Sequence, residues 1–240
     1  DETPISPSLI GAPGLGKTTL ACNMSYEFDL AVYVQQCTMD IRSEDLVVVP
    51  VLSEQKEIVY RASSLATAVI KGGICVLDEA NRMNEKAWAS LVPLLDDRRY
   101  VESVVAGVKI PAHPDFRMIC TMNEDPSTYV IPEYIQSRIA PRISVGLPSA
   151  GEVHEILEKH IGIEYDSAII DMIAGMIMQA MEKEEALFSK KKDALDLNLR
   201  SGIRAVKYLN HLKKISRLNL SDEALIKSII RTEFYEVEQR

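Results

Sequence analysis

The stretch Gly11-Ala12-Pro13-Gly14-Leu15-Gly16-Lys17-Thr18 fits the pattern G-x-x-x-x-G-K-[ST], a spacing suited to holding phosphate. Glycines let the backbone wrap close to a polyphosphate, because they carry no Cβ and accept positive φ. The loop N–H groups and the positive end of the following helix then attract the anion. Pro13, Gly14, Leu15, Gly16, Lys17, Thr18 and Thr19 are the expected cradle. Lys17 is expected to reach the β- and γ-phosphates, and the Thr18 hydroxyl to hold Mg²⁺. Further along, Asp78-Glu79 closes the apolar run Ile74-Cys75-Val76-Leu77. Asp78 is placed to hold hydrated Mg²⁺, directly or through water. Glu79 is placed to orient and deprotonate an attacking water, which needs a carboxylate within hydrogen-bond reach. The competing expectation is that the acidic pair only caps the next helix, and the phosphate loop upstream weighs against it. Asn123 ends another apolar run, where it is placed to hydrogen-bond the γ-phosphate or the water. Asn is also a common turn residue, so alone it says little.

These side chains need a scaffold, and the pattern supplies one. Ser8-Leu9-Ile10 reads as the strand before the loop, and the helix that follows is expected from Lys17 to about Phe28. Residues 30–34 read as a buried strand and 43–45 as a short helical turn. Residues 47–51 and 57–60 flank a polar turn, which predicts a β-hairpin. Ser63 or Ser64 is expected to cap a short helix through Lys71, with Gly72-Gly73 ending it. The run ending at Asp78-Glu79 is then a central strand, and ligands of open α/β sheets sit at that carboxyl end. Asn84 caps a predicted helix through Leu95 that buries Ala87, Leu91, Val92 and Leu95, with Trp88 as core. A second hairpin is expected from 98–101 and 107–110, and a strand from 116–121 running on to Asn123. Residues 132–139 read as a short helix opened by proline, and 143–146 as the last strand.

Pro148-Ser149 marks a shift in composition, so the boundary is placed near Leu147: an α/β unit over 1–147 and a helical one over 148–240. The second unit is expected to open with a helix at 149–161. A long helix follows from Asp166, with Ile169, Ile173, Met176, Ile177 and Ala180 as its core face. The charged segment 182–192 is a solvated helix end or loop. Ser201 caps a helix holding Arg204, Leu209 and Leu212, and a last helix from Asp222 buries Leu225, Ile226, Ile229 and Ile230.

Composition bounds the answer. Of 240 residues, 47% are hydrophobic and 26% charged, which fits a soluble globular protein. The net charge of −8 argues against a broad nonspecific nucleic-acid surface. No apolar run is long enough to span a membrane. There is no secretory signal, and the lack of an initiating Met suggests a trimmed N-terminus. Cys22, Cys37, Cys75 and Cys120 are far apart and lie in apolar stretches, as expected of buried reduced thiols in a cytosolic, cytoplasmic protein. His113, His154, His160 and His211 show no ligand spacing.

Together the segments resemble the AAA+ ATPases, and within them the MoxR branch with its relatives CbbQ and NorQ, in the dynein-related subgroup. The resemblance rests on the phosphate loop, Asp78-Glu79-Ala80-Asn81-Arg82, Leu94-Leu95-Asp96-Asp97-Arg98-Arg99, Ala112-His113-Pro114-Asp115-Phe116, Thr121-Met122-Asn123, and Ile131-Pro132-Glu133-Tyr134-Ile135-Gln136-Ser137-Arg138. It implies a five-stranded parallel sheet between helices, followed by a small helical lid. It makes Asn123 the sensor of the γ-phosphate, and Arg138 the arginine finger offered to a neighbour's ATP, with Arg142 close enough to compete. It makes Arg204 the lid arginine that contacts phosphate in the same subunit. It implies ATP and Mg²⁺ as ligands, a ring of identical subunits such as a hexamer, and hairpins that line the ring. The client is then a protein with a von Willebrand A-type domain or a metalloenzyme, with no membrane span and no nucleic acid. The first hairpin begins Leu46-Val47-Val48, where relatives often place a glycine after the leucine. Little chain precedes the first strand, which leaves ATP and GTP both open. Two other functions are open to a chain with these residues: a nucleotide-gated binding scaffold with little turnover, and a nucleic-acid remodeller.

Overall fold

The computed structural model describes residues 4–124, 129–161, 170–171, 173–175, 177–178, 199–200, 202–204 and 207. The chain divides into two compact units, Asp1–Val145 and Gly146–Arg240. The first unit runs β1 (Ser8–Gly11), α1 (Lys17–Phe28), β2 (Val32–Gln36), β3 (Val48–Leu52), β4 (Ile58–Ala62), α2 (Ser64–Lys71) and β5 (Gly73–Asp78). A 3₁₀ turn (Ala80–Arg82) leads to α3 (Glu85–Leu95), β6 (Tyr100–Ser103), β7 (Val108–Pro111), β8 (Phe116–Asn123), α4 (Glu133–Gln136) and β9 (Arg142–Ser144).

Five strands form one sheet in the order β2-β5-β8-β1-β9, with every neighbouring pair parallel. A parallel sheet is covered on both faces, so its inner strands read as continuous apolar runs. β5 does so: Ile74, Cys75, Val76 and Leu77 are all buried. Alternation then sorts them. Cys75 and Leu77 join Trp88, Leu91, Leu94, Phe116 and Met118 in one core layer. Ile74 and Val76 join Leu9, Ile119 and Ala21 of α1 in the other. Each buried Val, Leu, Ile, Phe or Met among them contributes about 1.5–3 kcal/mol.

Register brings the chemistry to one end of the sheet. Gly11 at the end of β1 lies beside Asn123 at the end of β8. Asp78 at the end of β5 lies beside Gln36 of β2. From β1 the chain passes through α1 to β2 at one edge, and from β8 through α4 to β9 at the other. The chain therefore parts to opposite sides between β1 and β8, which is where ligands of such sheets bind.

Local chemistry explains the helix starts. Ser63 Oγ accepts from Ala66 N at 3.0 Å, and Asn84 Oδ1 from Ala87 N at 3.0 Å. Each such cap contributes about 1 kcal/mol. Both expected hairpins form, β3 against β4 and β6 against β7, each antiparallel. Both pack against α2.

Several boundaries differ from expectation: β6 is Tyr100–Ser103 rather than 98–101, and β9 is Arg142–Ser144 rather than 143–146. β2 starts at Val32, later than the apolar run suggests. Asp29 leaves α1 in a left-handed conformation (φ 49), and Leu30 N is spent on Ser25 O at 3.2 Å. Pairing with β5 starts at the Ala31 carbonyl, which accepts from Ile74 N at 2.8 Å, and at the sheet edge β2 is half-buried where full burial is expected. α4 is shorter than expected: beyond Gln136 the chain tightens into turns, with Arg138 N bonding Ile135 O at 2.8 Å.

In the second unit α5 (Ala150–Ile161) begins with a reciprocal cap. Ser149 N donates to Glu152 Oε2 at 2.7 Å, and Glu152 N to Ser149 Oγ at 3.3 Å. Val153 and Leu157 of α5 are buried, as are Ile170, Ile173, Ala174 and Ile177. The helix openings at Asp166, Ser201 and Asp222 lie outside the described residues, with Ile169, Met176, Ala180, Leu209, Leu212 and the segment 182–192.

Candidate active site

The loop between β1 and α1 depends on glycine at more than one point. Gly14 and Gly16 sit at φ 82 and φ 79, a region that side chains with a Cβ rarely adopt. At Gly11 a Cβ would collide with the carbonyl oxygen of Val145. Gly16 is the N-cap of α1, and no side chain caps that helix. Its first-turn N–H groups and positive end therefore face the loop, as an anion site requires. Lys17 is only 5% exposed; its Nζ donates to Gly11 O at 2.9 Å and Ala12 O at 2.7 Å. Those carbonyls hold the ammonium charge inside the loop.

Thr18 and Asp78 come together as expected, with Thr18 Oγ1 donating to Asp78 Oδ1 at 2.6 Å. A hydroxyl and a carboxylate are hard oxygen ligands, and Mg²⁺ binds through one or two such groups plus water and phosphate. This donor set, below a phosphate-type loop, fits Mg²⁺ with a nucleoside triphosphate. Thr18 and Asp78 would hold the ion, and the loop from Pro13 to Thr19 the phosphates.

Thr121 is a site residue to which the sequence reading gave no role. Buried on β8 (1% exposed), it donates to Asp78 Oδ1 at 2.6 Å and accepts from Glu79 N at 3.1 Å. One hydroxyl thus ties both acidic residues to the neighbouring strand. Its signal in the sequence was only its position two residues before Asn123.

Glu79 ends β5 in a left-handed conformation, φ 54, and so starts the 3₁₀ turn. Its carboxylate is held on both sides: Asn123 Nδ2 donates to Oε1 at 2.9 Å and Arg82 Nε to Oε2 at 2.5 Å. Asn81 on the same turn donates to Asn123 O at 2.7 Å and accepts from Asn123 N at 3.4 Å. Asn123, expected at the γ-phosphate or the water, here holds the Glu79 carboxylate. The direct grip of Arg82 and Asn81 was not foreseen.

Arg138 lies past the end of α4, where Nη1 donates to Tyr134 O and Nε is buried without a hydrogen-bond acceptor. Arg142 starts β9, exposed, with Nη1 on Gln136 Oε1 at 3.1 Å. The Asp96 carboxyl is held below its usual range, chiefly by the hydrogen bond from Arg98, with the charge of Arg138 adding to it. Arg204 belongs to the second unit, where it is helical and exposed. Cys37, Cys75 and Cys120 are buried as expected, whereas Cys22 is half-buried. Burial, with the charges of Asp78 and Glu79, pushes the Cys37 thiol up to about 12. No metal-ligating cluster of His, Cys, Asp and Glu occurs among the described residues.

The family model of the AAA domain, dynein-related subfamily, matches residues 8–139, more than half of the chain. The chain belongs to this family. The matched span holds the phosphate loop, both carboxylates, Thr121, Asn123 and Arg138. NirQ of Stutzerimonas stutzeri, a denitrification regulatory protein, is 33% identical over 118 residues, covering 49% of this chain and 42% of NirQ. An uncharacterised protein of Staphylococcus aureus is 31% identical over 120 residues, covering 48% of this chain and 46% of that one. The alignments thus span less than half of either relative. Among solved structures, a point mutant of RuvB from Thermotoga maritima matches with a TM-score of 0.64 at 16% identity, over 98% of this chain and 65% of that one. That likeness shows the AAA+ fold. No described helix is long and apolar enough to cross a membrane.

Proposed function

We propose that this AAA protein is a Mg²⁺-dependent ATPase of the MoxR type, acting in the cytoplasm as a homo-oligomeric ring, a hexamer, to remodel or activate a client protein. The observation that carries the reading is the linked set Thr18–Asp78–Thr121 beside Glu79–Asn123. It joins the phosphate loop, an acidic ion ligand and a carboxylate base in one hydrogen-bonded unit. Bound Mg²⁺ supplies neutralisation of charge on the β- and γ-oxygens. Gly14, Gly16 and the first turn of α1 grip the phosphates, and Lys17 turns from the loop carbonyls to them. Glu79 aims and deprotonates the attacking water, while Asn123 reads the γ-phosphate and fixes Glu79.

Arg138 completes the site of an adjoining subunit, where a guanidinium spreads its donors over the γ-oxygens. Arg138 and Arg142 each already hold one acceptor, Tyr134 O and Gln136 Oε1, and Arg142 is close enough to compete for the role. Arg204 contacts phosphate from the helical unit, 148–240, which acts as the lid. Exposed apolar side chains on the hairpins, Leu52 and Ile58 on one and Val104 at the tip of the other, suit contact with a client. The client class, a von Willebrand A-domain protein or a metalloenzyme, is consistent with a relative named for regulating denitrification.

The test is phosphate release against protein concentration, with ATP and GTP compared. Turnover per subunit should rise with concentration and prefer ATP. Arg138→Ala should lower the plateau by about 10³-fold or more, the range of arginine fingers in trans. A rate per subunit independent of concentration, or an Arg138→Ala plateau equal to wild type, contradicts the ring.

A further inference from the structure

Glu79 is gripped from two sides, and one of the gripping groups carries a charge to which the phosphoryl-transfer reading gives no task. Arg82 Nε lies 2.5 Å from Glu79 Oε2, opposite the Asn123 amide on Oε1. We propose that Arg82 is a positioning residue for Glu79, fixing the plane of its carboxylate so that the base is aimed at the attacking water. This rests on the ATPase reading and adds a residue to it.

The backbone explains why Arg82 arrives there. In a 3₁₀ turn residues three apart eclipse one another, unlike those of an α-helix. Glu79 is the N-cap of such a turn, and Arg82 N closes it on Glu79 O at 2.9 Å. A spacing of three thereby becomes direct juxtaposition of the two side chains. The turn exists because Glu79 leaves β5 at φ 54, a conformation costly for a residue with a Cβ. Structure of that kind persists where its surroundings over-determine it, and here they do. Thr121 holds the Glu79 N–H, and Asn81 of the same turn locks the backbone of Asn123.

The side chains of Arg82 and Glu79 are 27% and 32% exposed. Ion pairs this open to water add little stability. A glutamate carboxylate has several soft torsions, and hydrolysis needs it in one orientation. Asn123 restrains one oxygen, while a planar guanidinium on the second oxygen restrains rotation about the terminal bond. Lysine is a point charge without that fork, so it should serve less well.

Removing Arg82 should therefore cost kcat and leave nucleotide affinity alone, since Arg82 sits on the base and not on the phosphate loop. The experiment uses the full chain at a concentration that saturates turnover. It measures kcat and KM for Mg²⁺–ATP, binding of a fluorescent ATP analogue, and thermal melting. Arg82→Gln should lose at least about tenfold in kcat, as a misaimed catalytic group does. KM, analogue affinity and melting should stay near wild type, and Arg82→Lys should recover part of the rate. Because Arg82 acts through Glu79, the residual hydrolysis of Glu79→Gln, followed over hours with enzyme in excess of ATP, should fall no further when Arg82→Gln is added.

Arg82→Gln turnover equal to or faster than wild type overturns the proposal. So does a kcat loss matched by weaker binding or lower melting, or a further loss on top of Glu79→Gln. Failure of the underlying reading looks different: wild-type protein itself then shows no turnover, or Glu79→Gln turns over like wild type, and the role of Arg82 falls with it.

Discussion

Thr121 shows how a single hydroxyl couples two acidic residues at the end of another strand. It donates to Asp78 and accepts from the Glu79 amide, in a fully buried position. Thr121→Val keeps the shape and removes both bonds, stranding a backbone N–H. Urea unfolding should report a loss of about 1–3 kcal/mol, the cost of an unsatisfied buried donor. The Mg²⁺ concentration for half-maximal turnover should rise several-fold, as Asp78 loses its brace. The thiols give a second check at this scale. With Cys37 raised to about 12 and Cys75 and Cys120 also pushed well up by burial, all three stay protonated at pH 8. The thiolate is the nucleophile, so iodoacetamide should label at most Cys22 in the folded protein and all four thiols in denaturant. Labelling of Cys37 before unfolding would contradict the packing around the acidic pair.

At the scale of elements, most of the site's frame was legible because its signals are local. The glycines of the loop, the Asn84 cap, the apolar run before Asp78 and the Ser149 cap each sit within a few residues of what they specify. Asn84→Ala should cost about 1 kcal/mol in unfolding free energy without changing turnover per folded molecule. What was not legible is carried by register. The bond between Thr121 and Asp78 joins residues on different strands, and only the alignment of β5 with β8 sets it. Arg82 was nearer to being readable: its spacing from Glu79 is local, but spacing alone does not distinguish a 3₁₀ turn from an α-helix. The start of β2 was misplaced because the apolar run begins before the chain reaches the sheet, and the left-handed Asp29 spends the first residues on closing α1.

For the molecule as a whole, the sheet gathers the glycine loop, the Asp78–Glu79 pair and Asn123 at the carboxyl ends of three adjacent strands, β1, β5 and β8. The arginines stand apart from that centre in role. Arg138 follows α4 in the first unit and Arg204 belongs to the second, so the proposed cycle needs both a neighbour and the lid. Turnover should therefore be a property of the assembly, whereas nucleotide binding belongs largely to the single chain. The most direct measurement separates the two at Glu79. Glu79→Gln, mixed with Mg²⁺ and radiolabelled ATP, should retain intact ATP on the protein through gel filtration and release essentially no phosphate. Phosphate release at the wild-type rate, or a Glu79→Gln protein that retains no nucleotide, would contradict the assignment of Glu79 as the base beside a phosphate-gripping loop.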